Sequence, residues 1–113
     1  LTELSRYDFI VREQGSGTRE LFENTMAAHE VKWQLTWDCN GSDVLKNAAI
    51  NGLGIAVISQ RLIEREISTG ELAPLECNEL SLKRSFCIVC HKNKYLTTAM
   101  KKFMHLCHKT SQI

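Results

Sequence analysis

The stretch Phe9-Ile10-Val11-Arg12-Glu13-Gln14-Gly15-Ser16-Gly17-Thr18-Arg19 decides how this chain reads. An apolar run breaks into two glycines and small hydroxyl residues, then resumes at helical spacing, so a strand turns into a helix here. Ser16 or Thr18 can cap that helix, and the backbone N–H groups at a helix start are a ready seat for an anion. A second junction of the same kind follows, with Cys39-Asn40-Gly41-Ser42-Asp43 ahead of Val44-Leu45. Further on, Asn51-Gly52-Leu53-Gly54-Ile55-Ala56-Val57-Ile58-Ser59 reads as a helix stop running into a buried strand. Two strand-to-helix junctions on one side of a sheet suggest a small-anion binding lobe, not a scaffold.

Working outward, Leu1 to Leu4 with Tyr7 forms a linker packed on the domain edge. Strands are expected at Phe9 to Glu13, Lys32 to Trp37 (Trp33, Leu35 and Trp37 on one face) and Gly54 to Ser59. Helices are expected at Thr18 to about His29, Ser42 to Asn51 and Gln60 to Ser68. Leu72 to Glu76 reads as a short strand that Pro74 assigns to a sheet edge. Three strand–helix pairs in succession require parallel strands with crossover connections, so the fold class is α/β, one lobe of a doubly wound sheet. Lys83 to His91 reads as a longer strand. After the Asn93-Lys94 turn, Thr97 caps a last helix with Met100, Phe103, Met104 and Cys107 facing inward. That pair needs something to pack on, because each large apolar side chain left wet forgoes roughly 2 kcal/mol.

The 113 residues are 43% hydrophobic and 24% charged, the balance of one globular domain. No apolar run approaches the roughly 20 residues of a membrane span, and no signal-peptide pattern opens the chain. The first residue is Leu1, so a longer parent is expected. Five scattered cysteines form no disulfide framework and read as reduced thiols, which places the protein in the cytoplasm. All 13 acids lie at or before Glu79, whereas Lys83, Arg84, Lys92, Lys94, Lys101, Lys102 and Lys109 stand in a segment without acids. Without interleaved aromatics for base stacking, that run reads as a solvated face or partner contact.

Other chemistries find no support. The glycine turn has Glu20 where a dinucleotide fingerprint needs Gly or Ala, and no Gly-Lys-Ser/Thr follows for a phosphate loop. Cys87-x-x-Cys90 with His105-x-x-His108 has finger-like spacing, but the two cysteines lie in an apolar strand without a knuckle glycine. Buried free thiols fit better, and no metal or other cofactor is expected. Cys39, near a helix start, is expected to have a lowered thiol pKa but has no resolving partner nearby. Arg19 could add charge to an anion, though a surface or dimer-contact role fits equally. No Gly-x-Ser-x-Gly elbow or nucleophile–base set points to an enzyme, and Glu13, Asp38 and Asp43 read as a solvated strand-end rim.

In order and spacing, Phe9 to Arg19, Ser42 to Lys46, Asn51 to Ser59 and Gly70-Glu71-Leu72-Ala73-Pro74-Leu75 resemble the effector-binding domain of LysR-type transcriptional regulators. The strand Arg84 to Lys92 leading to Phe103 resembles that family's return strand and closing helix. The resemblance implies a periplasmic-binding-protein-like type II fold. Residues 1–79 would be the second lobe, and residues 80–113 the return strand and closing helix toward a missing first lobe. It also implies an anionic small-molecule effector between lobes, a homo-oligomer, and DNA binding through an absent N-terminal winged helix-turn-helix. Gly15, Ser16, Gly17 and Thr18 form one candidate seat; Cys39, Asn40, Gly41 and Ser42 form the other. The alternatives are that the hydroxyls merely cap their own helices, that the lobe belongs to a solute-binding transport protein, or that it is a doubly wound enzyme.

Overall fold

The computed structural model describes residues 1–110; the last three residues of the 80–113 segment lie outside the described residues. Residues 1–82 form one compact unit and residues from Lys83 onward a second.

The first unit is organised by β1 (Asp8–Arg12), the middle strand of a three-stranded parallel sheet. β2 (Gln34–Cys39) flanks it on one side and β3 (Ile55–Ala56) on the other. Phe9, Ile10 and Val11 are all buried, as a strand covered on both faces requires. Alternation sends Phe9 and Val11 to one face, where they pack on Phe22 and Met26 of α1 (Gly17–Ala28). Ile10 faces the other way, onto Leu45 and Ala48 of α2 (Ser42–Ile50). The sheet therefore lies between two helices, the α/β layering expected. Trp33, just ahead of β2, joins the first cluster edge-on to Phe22 with ring centroids 5.0 Å apart. Such aromatic contacts add about 1 kcal/mol each beyond burial.

Both helices end in the same hydrogen-bonded turn. After α2, the Gly52 and Leu53 N–H groups donate to Ala49 and Ala48 carbonyls. After α1, Glu30 and Val31 donate to Ala27 and Met26. The left-handed position there is held by Glu30, at φ 54°, where glycine is the usual occupant.

Several expectations are corrected. β2 starts and ends two residues later than expected, and its pairing with β1 skips Thr36: Phe9 opposes Leu35, whereas Ile10 opposes Trp37. The expected common face is not formed: Leu35 and Trp37 are exposed, whereas Trp33, ahead of the strand, packs half-buried on the first cluster. β3 is only two residues long, extended by the Val57 N–H to Ile10 carbonyl bond. The expected helix 60–68 divides into a 3-10 turn at Gln60–Leu62 and α3 (Glu64–Ser68). Leu1 to Tyr7 is not a plain linker: Thr2–Arg6 is a 3-10 helix, and Leu4 packs on the first cluster. Neither Leu72 to Glu76 nor Lys83 to His91 is a strand, and residues 81–95 are exposed throughout. A strand requires a neighbour for its backbone groups, and these segments pair with none among the described residues.

The second unit is built around α4 (Thr98–Thr110), which Thr97 caps by accepting the Met100 N–H at 3.3 Å. Met100, Met104 and Cys107 are half-buried, whereas Phe103 is exposed, against expectation. No helix among the described residues is long and apolar enough to cross a membrane.

At Gly54, at φ +152°, an added Cβ would sit 2.6 Å from the Asp8 carbonyl oxygen of β1. Gly54→Ala is expected to cost about 2 kcal/mol in urea denaturation, through backbone strain and a displaced β1. Gly17→Ala, with nothing within 4 Å of the new methyl, should leave the midpoint unchanged or raise it.

Candidate functional site

Parallel pairing puts the C-terminal ends of β1 and β2 side by side, with Arg12 opposite Cys39. The Glu13 N–H donates to the Cys39 carbonyl at 3.1 Å, so the two chains leave the sheet together. Each then turns into a helix: Gln14 and Gly15 make the turn into α1, and Asn40 and Gly41 the turn into α2. The two candidate seats thus share one edge of the sheet.

Within them, the residues take roles that differ from simple capping. Ser16 is the N-cap of α1, yet its side chain makes no capping bond. The N-cap of α2 is Gly41, at φ +92°, a conformation that favours glycine, and it has no side chain with which to cap. Ser42 is the first helical residue, and its hydroxyl accepts a hydrogen bond from Arg12 Nη1 at 3.1 Å. Asn40 and Gly41 are exposed at the turn. Thr18 lies half-buried in the first turn of α1.

The side chains that organise this edge are charged residues from the strand ends. The Arg12 guanidinium donates from Nε and Nη2 to the two carboxylate oxygens of Glu13, at 2.7 and 2.8 Å. Those bonds hold the Glu13 carboxyl below its ordinary pKa. Arg19 is buried at 6% exposure, which corrects the surface or anion-facing role. Its guanidinium donates to Glu23 at 2.7 Å, to Asp38 at 3.1 Å and to the Arg12 carbonyl at 3.1 Å. Arg19 therefore ties α1 to the ends of both strands, and the supposed rim carboxylates Glu13 and Asp38 are ion-paired. Asp43 is a surface residue 3.7 Å from Lys46. Sequence reading missed this frame because its partners lie 7, 19 and 30 positions apart.

Cys39 is half-buried, its Sγ 4.0 Å from the Val11 carbonyl oxygen and 3.9 Å from that of Gly41. Burial pushes its thiol pKa up, the reverse of the expected helix-start effect. Cys87 and Cys90 are exposed and outside any strand, not buried thiols. Among the described residues, no three His, Cys, Asp or Glu side chains group as a metal site.

An open groove of about 470 Å³ contains none of the eight candidate residues. Lys46, Arg61, Leu62, Glu64, Arg65 and Glu66 line it. Its buried carboxylate, Glu66, lies 3.1 Å from Lys46 Nζ and joins α3 to α2. A bond from its own backbone N–H, then Lys46, lowers the Glu66 pKa.

The family model for the LysR substrate binding domain matches residues 1–112. The chain belongs to that family. The regulator YeiE of Escherichia coli (strain K12), named an uncharacterized HTH-type transcriptional regulator, is 32% identical over 107 residues, 95% of this chain and 36% of the relative. The HTH-type transcriptional regulator CbbR of Rhodospirillum rubrum is 32% identical over 111 residues, 96% of this chain and 37% of the relative. CbbR of Sinorhizobium medicae is 35% identical over 102 residues, 88% and 32% of the two chains. The chain spans about a third of the length of these relatives. All three carry names of transcriptional regulators, not of transport proteins or enzymes.

Two predictions follow from the charged groups. Arg19→Met should cost about 2 kcal/mol in chemical denaturation, because it strands the Glu23 and Asp38 carboxylates and an Arg12 carbonyl; their part exposure keeps the loss below that of a fully buried pair. For Glu66, a folded pKa below the ordinary 4.5 means its contribution is present above that value and lost as pH falls through the folded pKa. Wild-type stability should therefore drop faster than that of Glu66→Gln as pH is lowered from 4.5; parallel curves would contradict this assignment.

Proposed function

We propose that this chain is the effector-sensing part of a bacterial LysR-type transcriptional regulator, taking a small anion at the shared C-terminal edge of β1 and β2. In this reading the anion is seated by Gly15, Ser16, Gly17 and Thr18 on one side and Cys39, Asn40, Gly41 and Ser42 on the other. The observation that carries it is the adjacency of the two helix starts, each with a polar first turn, at the end of one parallel strand pair. A helix start carries about half a positive charge, so two on one edge favour an anion over a neutral ligand.

Residues 1–79 act as the second lobe, and α4, within residues 80–113, serves as the closing helix of the first. The first lobe and a DNA-reading winged helix-turn-helix belong to a longer, cytoplasmic parent that works as a homo-oligomer. Effector binding favours one lobe arrangement by its differential affinity, and that shift alters how the parent holds DNA. The names of the relatives support regulation over the solute-transport alternative.

Calorimetric titration of the chain with sulfate, phosphate and small carboxylates at fixed ionic strength tests the seat. At least one anion should bind, an uncharged analogue should not, and Asn40→Ala should weaken binding about fivefold. No heat from any anion, or an unchanged affinity in Asn40→Ala, would count against it.

A further inference from the structure

Arg12 stands at the centre of this edge, and its donors are only partly used. A guanidinium has five N–H donors in a planar fork. Glu13 takes two of them, from Nε and Nη2, and Ser42 takes one from Nη1. Two N–H groups, one on each terminal nitrogen, have no acceptor among the described residues. The side chain keeps 26% exposure, so solvent and a small solute reach it. The bidentate grip of Glu13 fixes the guanidinium plane, and Ser42 is its link to α2, 30 residues away.

Resting on the effector reading above, we propose that Arg12 is the specificity-determining residue of this site. It selects an anion that offers two oxygens from one atom, a carboxylate or an inorganic oxyanion, to the outer edge of its fork. Glu13 offsets most of the Arg12 charge. Recognition therefore rests on two oriented bonds more than on net attraction, and a single-atom anion such as chloride is a poor competitor. Ser42 holds the Nη1 end in place when no ligand is bound, so binding at the fork acts on the first residue of α2.

The test is NMR on the whole chain, following the Arg12 side-chain Nε–H and the backbone amides of residues 15–18 and 40–42. The probes are acetate, sulfate and chloride at equal ionic strength. Acetate or sulfate should shift the Arg12 Nε–H together with both sets of amides, and chloride should not; which of the two acts separates a carboxylate source from an oxyanion source. Arg12→Lys keeps the charge but removes the fork, and should weaken binding by about tenfold or more with the amide spectrum otherwise retained. Should Arg12→Lys lose its folded spectrum, the wild-type Nε–H shift decides alone. Amide shifts without an Nε–H shift, or Arg12→Lys binding within about twofold of wild type, overturn the role of Arg12 and leave the effector seat standing. No shift at either junction with any probe overturns both.

Discussion

Parallel pairing of β1 with β2 is the constraint on which the rest depends. Because the strands run the same way, their chain exits fall on one edge, and the Glu13 N–H to Cys39 carbonyl bond carries the pairing to the last residue before the turns. An antiparallel pair would have sent the two helix starts to opposite ends. The pairing is held by burial: Phe9, Ile10 and Val11 are covered from both sides, by α1 with Trp33 and by α2. At roughly 2 kcal/mol for each large apolar side chain, this layer outweighs anything the exposed polar turns contribute.

Charge then fixes the edge that the sheet creates. Arg19 lies under the first junction and joins α1 to both strand ends, a buried cation bonded to oxygens of Glu23, Arg12 and Asp38. Arg12 works at the surface and reaches from β1 to α2. One arginine is structural because it is buried and its bonds go to a helix and both strand ends; the other keeps partial exposure. Their neighbourhoods differ far more than their sequence context, in which each is followed by a glutamate.

What could be read in advance was local. The apolar triplet 9–11, the glycine breaks and the helical spacing of Phe22 and Met26 or Leu45 and Ala48 are short-range signals, and each element they announce is present. The Thr97 cap was equally legible. What could not be read depends on partners distant in the chain or on geometry without a residue signature. The skipped Thr36 comes from the fit of two strands, and Glu30 holds a left-handed turn with no glycine to announce it. Segment 83–91 has strand composition, but composition supplies no neighbouring strand. The two strand-to-helix junctions fall on one edge of the sheet, while the bond that occupies Ser42 spans 30 positions and had no sequence trace.

The most direct test of the account is amide hydrogen exchange across a titration with an anion found to bind. If one ligand is seated against both helix starts, exchange at residues 15–18 and at residues 40–43 slows with a single common midpoint. Protection confined to one junction, or two separate midpoints, would contradict a shared seat.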